Sequence, residues 1–300
     1  MSPVAKRWGH RAAVVVVSLA ALLGAVVAVG LVQAERTRTR QVDVPRRTVA
    51  LPDSPAPQRL ARGRHLYLSR GCADCHGQDG AGRMFIDEPN GLKVGGPQIA
   101  PGSRSVTAAY SAQDWVRAIR HGVAPSGRPL LVMPSEDYAG LTDEDLAALV
   151  AHVRRLPAVD GRPAVLEMPV LVRVVYGLGI MKDAAAKIDH ARPPSPPVAE
   201  GVSTAYGQYV AMSCLGCHGP RLEGGRIPGA PPDWPPAPSL VAGADSALAR
   251  YPDADSLAKL FRTGKRPDGS VVKVMPFEAL GRLDDVEVRA LHRYLSGTGG

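Results

Sequence analysis

Cys72-Ala73-Asp74-Cys75-His76 and Cys214-Leu215-Gly216-Cys217-His218 contain all four cysteines of this 300-residue chain. In each stretch two residues separate the cysteines, and a histidine follows the second cysteine at once. On a helical turn, positions three apart lie on the same face, so the two thiols of each pair can point in one direction. The chain therefore presents two identical sets of two thiols and one imidazole.

Several chemistries use pairs of cysteines at this spacing. The two pairs together would supply a four-thiolate zinc site, and each pair alone would supply a redox-active dithiol or a structural disulfide. None of these requires a histidine after each pair. The pattern C-x-x-C-H is instead the attachment motif of c-type haem, in which the thiols bond to the porphyrin and the imidazole binds the iron. The motif predicts two covalently bound haem c groups, attached through Cys72, Cys75, Cys214 and Cys217, with His76 and His218 as iron ligands.

An internal repeat extends well beyond the cysteines. The two motifs are 142 residues apart, and the same offset relates Met133-Pro134 to Met275-Pro276. In both copies the methionine follows the motif histidine by 57 residues. The offset also relates Gly122, Pro125 and Gly127 to Gly264, Pro267 and Gly269. A constant offset without gaps is typical of a duplicated domain.

Each copy has the same predicted layout, which is all-α. A helix precedes the cysteines, Gly- and Pro-rich loops follow, and a second helix comes before the methionine loop. A last helix closes each copy. Its start is marked by Thr142 with an acid at Asp145, and by Asp284 with Glu287, which is the pattern of a helix N-terminal cap.

On these motifs, each copy resembles a class I (mitochondrial-type) cytochrome c domain, over about residues 57–157 and 200–298. The resemblance implies that Met133 and Met275 are the distal iron ligands. It also implies that the carbonyls of Pro97 and Pro238 accept the proton of the iron-bound imidazole, which orients the ring.

The absence of competing ligands supports the same choice of methionines. In the second copy His292 lies inside the predicted last helix, and Met212 is too close to Cys214 to reach the opposite face of the haem. In the first copy Met84 competes with Met133, but only Met133 has a partner in the repeat. We expect His65, His121 and His152, which do not repeat, to be ordinary surface or helix residues.

Residues 12–34 form an apolar segment without charge. Twenty-three residues at about 1.5 Å per residue can cross a hydrocarbon core of about 30 Å. The segment predicts a transmembrane anchor. Because Val32-Gln33-Ala34 resembles a signal-peptide cleavage site, a signal peptide that is removed from the mature chain is the alternative. Arginines follow the segment more often than basic residues precede it, so the positive-inside count would place the rest of the chain in the cytoplasm. Since the cytochrome family attaches its haem outside the cytoplasm, we expect the soluble domains on the periplasmic side of the cytoplasmic membrane.

Composition and charge limit the fold class and the kinds of partner that the chain can have. Hydrophobic residues make up 45% of the chain and charged residues 21%, which excludes wholesale disorder. The net charge is +8, but residues 1–50 alone carry six of these charges, beside the apolar segment, so we expect a membrane surface and no nucleic acid as partner.

Within residues 158–200, the apolar run Pro169 to Met181 predicts a helix packed between the two domains, and a helix lying on the membrane surface is the alternative. The predicted organisation is a cytoplasmic N-terminus (1–11), an anchor or signal peptide (12–34), a basic Pro-rich spacer (35–56), a first cytochrome c domain (57–157), a connector with an apolar helix (158–200) and a second cytochrome c domain (201–300).

The predicted function is one-electron transfer. Iron held by histidine and methionine has no open position for a substrate, and the sequence shows no candidate catalytic residues. We therefore expect a membrane-tethered dihaem electron carrier between redox partner proteins, or a fixed subunit of an oxidase of the cbb type or of a dehydrogenase complex. The alternative is a dihaem cytochrome c peroxidase, which needs one haem with a displaceable histidine, and a ligand sensor is a third possibility.

Overall fold

The computed structural model describes residues 3–227, 230, 233–243 and 245–297, with only the backbone for residues 3–6 and 9. The first two residues of the predicted N-terminal segment (1–11) and the last three of the predicted second domain (201–300) lie outside this part. The described chain is mostly helical. Its α-helices are α1 (Pro3–Thr39), α2 (Pro57–Ser69), α3 (Cys72–His76), α4 (Ala112–His121), α5 (Asp143–Arg154), α6 (Val170–Gly177), α7 (Thr204–Ala211), α8 (Leu215–His218), α9 (Ala254–Thr263), α10 (Phe277–Leu280) and α11 (Asp285–Ser296).

Helix α1 contains the apolar segment and continues beyond both of its ends. Over His10–Thr39 it is long and apolar enough to cross a membrane, with a mean hydropathy of 2.8 in its most apolar part. Its large apolar side chains are exposed, including Val17, Leu22 and Leu23. Both an anchor and a signal peptide have this character.

Two units follow, and each is built around one helix crossing. We call residues 57–167 unit one and residues 201–297 unit two. In unit one α2 packs on α5, and in unit two α7 packs on α11. A Cβ atom on Gly63 would lie 2.0 Å from the carbonyl oxygen of Ala148, and one on Gly207 would lie 2.0 Å from that of Ala290. Both crossings are therefore closed by a glycine at the same place, because no side chain fits there.

The predicted caps of the last helices are confirmed. The Thr142 hydroxyl accepts a hydrogen bond from the backbone N–H of Asp145, and the Asp284 carboxylate accepts one from that of Glu287. These bonds satisfy N–H groups that have no partner within the helix. They fix the starts of α5 and α11, whose first turns lie at the contact between the units.

Unit one also contains a small sheet that the sequence did not predict. Strands β1 (Met84–Asp87), β2 (Lys93–Gly95) and β3 (Val165–Glu167) are antiparallel in the order β1-β2-β3. Strand β3 lies in the predicted connector, since the expected boundary was residue 157. It belongs to unit one because its backbone pairs with β2, with Leu166 opposite Val94.

The connector helix lies where the sequence did not place it. We expected a helix between the two domains, but α6 packs along α1. A Cβ atom on Gly177 would lie 1.9 Å from the carbonyl oxygen of Gly30, so the two helices touch at their backbones. Small residues in both helices allow this close approach, which a search for apolar periodicity does not detect.

The units contact each other directly, and their buried side chains form one continuous core. Asp145 accepts hydrogen bonds from Arg62 of its own unit at 2.8 Å and from the Tyr209 hydroxyl of the other unit at 2.7 Å. Glu287 is bonded by Arg70 at 2.7 Å and by His65 at 2.8 Å, both from the other unit. Asp145 and Glu287 correspond in the repeat, and His65 and Tyr209 each lie two residues after a crossing glycine. The units therefore exchange equivalent contacts, as two subunits related by a twofold axis do.

Candidate haem-binding sites

The first motif folds as a single helical turn between two glycines. Helix α3 (Cys72–His76) begins after Gly71, which has a φ of 78°, and ends before Gly77, which has a φ of 77°. These positive φ values, which glycine adopts without steric cost, let the chain turn sharply on both sides of the motif. As the spacing predicts, Cys72 and Cys75 occupy one short helix. In unit two, Cys214 ends a 3₁₀ turn and Cys217 lies in α8.

The two motif histidines have the same hydrogen bond. His76 Nδ1 lies 2.9 Å from the carbonyl oxygen of Pro97, and His218 Nδ1 lies 2.9 Å from that of Pro238. A carbonyl oxygen only accepts, so Nδ1 carries the proton in both rings and the lone pair is on Nε2. Burial lowers the pKa of both imidazoles, although the carbonyl bonds act in the opposite direction. Both rings are therefore neutral at neutral pH, with Nε2 available to a metal ion.

The cysteines do not form the alternative sites. All four lie in the described part of the chain, and none is in a disulfide. Among the described residues, one cluster brings three potential metal-ligand side chains together. It consists of His65, Asp284 and Glu287 and contains no cysteine. A four-thiolate zinc site is therefore not assembled. Burial raises the pKa of Cys72 and of Cys214 to about 12, so the bare thiols are poor nucleophiles at neutral pH.

A cavity of about 310 Å³ lies against the first motif. Cys72, Cys75, His76 and Met133 all line it, so the structure brings together the thiols, the imidazole and the predicted thioether. Met84 is not among the lining residues, because it lies in β1 with its sulfur packed against Gly95. The remaining lining is largely apolar. It includes Tyr67, Phe85, Val94, Ile99, Tyr110, Trp115, Ile119, Leu130, Leu131, Tyr138, Leu149, Val153, Val165 and Leu166.

Two tyrosines that the sequence analysis did not single out hold this cavity in shape. The Tyr67 hydroxyl donates to the carbonyl oxygen of Gly77 at 2.6 Å, and the Tyr138 hydroxyl donates to that of Arg70 at 2.9 Å. The two bonds secure the backbone just after and just before α3. Tyr138 corresponds to Leu280 in the repeat, so a search for repeated residues could not identify it.

The cavity suits a haem group. Its walls are largely apolar, as a porphyrin face requires, and the groups that line it include a neutral imidazole and a thioether, both of which can bind haem iron. The residues present therefore fit the group that the motif predicts. When bound, the haem supplies an iron that changes oxidation state by one electron. The chain supplies the thiols, the two ligand side chains and the apolar enclosure.

Unit two repeats the histidine–proline contact of unit one. Met275 is partly buried and packs against the common apolar core. The turn after the motif also recurs, since Gly80 has a φ of 72° and Leu222, its partner in the repeat, has a φ of 61°. Leu222 is the one described non-glycine residue with positive φ. Unit two therefore holds a leucine in a backbone conformation that favours glycine.

We call the segment that carries each C-x-x-C-H motif the attachment loop, and the segment that carries each predicted methionine ligand and the residues just after it the methionine loop. Each attachment loop faces the methionine loop of the other unit. A Cβ atom on Gly71 would lie 3.9 Å from Cβ of Ala279, and one on Gly216 would lie 2.7 Å from Oδ1 of Asp137. Asp137 and Ala279 correspond in the repeat. Burial, together with the charge of Glu136, raises the pKa of Asp137 to about 7. The sites of the two units are thus brought together by the contact between them.

The non-repeating histidines lie outside the cavity lining. His65 bonds to Glu287 across the contact between the units, and His152 packs against Tyr67 with ring centroids 5.4 Å apart. His121 is buried, and its Nδ1 lies 3.1 Å from Nδ1 of His190 in the connector. The structure therefore gives these histidines contacts between segments, which the sequence did not predict.

Comparison with known proteins supports the haem assignment for unit one. The family model described as cytochrome C oxidase, cbb3-type, subunit III matches residues 58–153. The chain is similar to the fructose dehydrogenase cytochrome subunit of Gluconobacter japonicus, with 28% identity over 82% of this chain and 55% of the relative. It is similar to the gluconate 2-dehydrogenase cytochrome c subunit of Pantoea cypripedii, with 28% identity over 83% and 62%. It is also similar to the alcohol dehydrogenase (quinone) cytochrome c subunit of Gluconobacter oxydans (strain 621H), with 25% identity over 79% and 54%.

Each of these similarities covers about four fifths of the chain and therefore reaches into both units, whereas the family model covers unit one alone. The chain spans 54 to 62% of the length of these three relatives. All three are cytochrome subunits of dehydrogenases. Together with the cavity, the motif and the orienting carbonyl, the match establishes that residues 58–153 are a cytochrome c domain, the kind of domain that carries covalently attached haem c.

Proposed function

We propose that this protein is the membrane-anchored dihaem cytochrome c subunit of a membrane-bound dehydrogenase complex. It accepts electrons one at a time from a dehydrogenase subunit and passes them to an acceptor in or at the membrane. The observation that carries the proposal is the cavity in which Cys72, Cys75, His76 and Met133 meet.

The proposed ligands explain why this is a carrier. His76 and Met133 in unit one, and His218 and Met275 in unit two, would hold the iron of each haem, and the two cysteine pairs would hold the porphyrins. With an imidazole and a thioether both bound, the iron would have no open position for a substrate, and each haem would supply one-electron transfer. A thioether also favours the reduced state, which raises the reduction potential. The Pro97 and Pro238 carbonyls hold each imidazole in one orientation and leave its Nε2 free to bind the iron.

We infer that unit two is a second cytochrome c domain, with residues 12–34 as a retained anchor and both units on the periplasmic side. The equal His–Pro bonds, the equal glycine crossings and the turn shared by Gly80 and Leu222 support the duplication. The contact of each attachment loop with the methionine loop of the other unit supports direct electron transfer from one unit to the other. The names of the relatives support a dehydrogenase as the donor.

The experiment is purification of the intact chain from membranes, with haem determination and a redox titration followed by visible spectroscopy. We expect two covalent haems per chain, both low-spin with methionine ligation, and a co-purifying dehydrogenase subunit whose substrate reduces them. One haem per chain would contradict the dihaem assignment. Turnover of peroxide, with one haem lacking methionine ligation, would replace the carrier with a peroxidase.

A further inference from the structure

Exposed apolar side chains outside α1 are concentrated in one place. Ten large apolar residues beyond α1 are exposed in the described part of the chain, and four of them lie within eleven residues around α6. The other six are scattered over both units. The four are Val170, Leu171, Leu178 and Ile180, with exposed fractions of 54, 72, 45 and 74%. Clusters of this kind on a folded chain indicate a surface that is covered by something else.

The position of α6 indicates what covers it. A Cβ atom on Gly30 would lie 2.8 Å from Cγ1 of Val174, and Gly177 contacts Gly30 and Ala34. Gly30 lies four residues, or about 6 Å, before the end of the apolar segment. Helix α6 therefore lies beside the outer end of the membrane-spanning segment, at the depth of about 5–10 Å at which interfacial helices insert.

Polar contacts mark the boundary on the other side of α6. Tyr176 donates its hydroxyl proton to Asp183 at 2.8 Å, and Arg40 bonds to the same carboxylate at 2.7 Å. The ring of Tyr176 is buried, while its hydroxyl reaches this ion pair. Arg173 and Lys182 add positive charge beside the apolar face. Apolar side chains on one side and cations at the rim are suited to acyl chains below and anionic headgroups around them.

We propose that residues 169–181 form a second membrane element, in which α6 lies in the outer interface of an anionic bilayer beside a retained α1. The four apolar side chains insert among the acyl chains, and the Arg40–Asp183–Tyr176 cluster lies at the headgroup level. Cleavage after Ala34 would remove the partner of α6 and expose Val174, which is buried against it. The proposal concerns how the protein lies on the membrane, and it does not depend on electron transfer.

The test measures how fast single cysteines react with a water-soluble maleimide in the full chain, reconstituted into vesicles of phosphatidylethanolamine and phosphatidylglycerol. The variants are Leu171→Cys and Ile180→Cys. The matched control is Val271→Cys, which lies in unit two with 60% exposure, and the unsubstituted chain gives the background. We expect the two variants near α6 to react at least about ten-fold more slowly than the control, because the reacting thiolate is suppressed in a low-dielectric layer. In sodium dodecyl sulfate all three should react alike.

Equal rates for the three variants in vesicles would overturn the proposal. Protection in native membranes together with full reactivity in vesicles would also overturn it, since a protein partner would then cover the face. Leu178→Cys provides a further position if one of the variants does not accumulate. Haem content is measured on the same samples, so a missing haem would count against the proposed function and leave the labelling result to decide this inference.

Discussion

Unit one and unit two share their local geometry but differ in what encloses it. The His–Pro bond is 2.9 Å in both, and the glycine at the helix crossing meets a carbonyl at 2.0 Å in both. Around this shared frame, unit one adds a three-stranded sheet and the hydroxyl bonds of Tyr67 and Tyr138. Unit two places Leu222 where unit one has Gly80. Contacts that orient the ligands are thus kept, whereas the packing around them varies.

The largest expected effect comes from removing one attachment site. Replacing Cys72 and Cys75 with serine should leave the mature chain with one haem, and replacing Cys214 and Cys217 should do the same, because each pair anchors its own haem. The measurement is the mass of the mature chain, with the pyridine haemochrome assay for stoichiometry. Two haems retained in either double variant would break the equivalence of the units.

The next effect separates the proposed axial thioethers from other methionines. Met133→Leu and Met275→Leu should each lower one reduction potential by on the order of 100 mV, because the axial ligand sets the potential of a haem. Leucine keeps the volume of the side chain. The measurement is a redox titration of each variant.

Met84→Leu is the matched control for these variants. Its sulfur packs against Gly95 and does not line the cavity, so both potentials should stay unchanged. If Met84→Leu shifted a reduction potential as much as Met133→Leu does, Met133 would no longer be distinguished from Met84 as the iron ligand. Unchanged potentials in Met275→Leu would show that unit two binds its iron differently.

The third comparison concerns the acids that each unit presents to the other. Glu287 and its partner Arg70 have side chains 0 and 5% exposed, whereas Asp145 and Arg62 are 12 and 18% exposed. Glu287→Gln leaves a buried guanidinium without its carboxylate and should cost about 3–5 kcal/mol. Asp145→Asn should cost about 1–2 kcal/mol, because Arg62 keeps Glu200 at 2.9 Å and some solvent.

The measurement for this pair is urea denaturation of the purified holoprotein, with each variant compared with the unsubstituted chain. A larger loss in Asp145→Asn than in Glu287→Gln would reverse the order that burial predicts.

Acid unfolding should sharpen the same comparison. Burial alone would raise the pKa of Glu287, but the hydrogen bond from His65 and the charge of Arg70 outweigh it and lower the pKa to about 2, from an ordinary 4.5. A carboxylate with a lowered pKa stabilises the fold above its ordinary pKa, and this stability is lost as the pH falls through the lowered value. Stability should therefore decrease between about pH 4.5 and pH 2. In Glu287→Gln this part of the decrease should be absent when denaturant midpoints are measured across the range.

The last comparison is the difference between two variants of Leu222, which tests the left-handed turn. Leu222 is 3% exposed, so Leu222→Ala should lose about 2–3 kcal/mol of burial and keep the strained backbone. Leu222→Gly loses the same side chain but relieves about 1–2 kcal/mol of strain, so it should be the more stable of the two. This order is the reverse of the usual preference for alanine. Urea denaturation of both variants decides it, and a more stable alanine variant would show that the turn is unstrained.

Much of the local structure followed from the spacing of residues. The caps at Thr142 and Asp284 and the two C-x-x-C-H turns depend on neighbours three or four positions away, so their pattern is visible in the chain. The meeting of Met133 with His76 was predicted from the repeat and from family resemblance. The sheet was missed because β2 and β3 are short and about 70 residues apart, and their pairing leaves no periodic signal.

Short-range geometry and the 142-residue offset were enough to predict two thiol–imidazole sites, a mostly helical chain and one apolar helix long enough for a membrane. Only the folded structure shows that α6 packs on α1. It alone also shows that His65 and Tyr209 each bond to an acid of the other unit, and that each attachment loop faces the methionine loop of the other unit. These features depend on side chains that are far apart in sequence and meet through shape and charge. A linear pattern records what each residue can do, but not which distant residue it will meet.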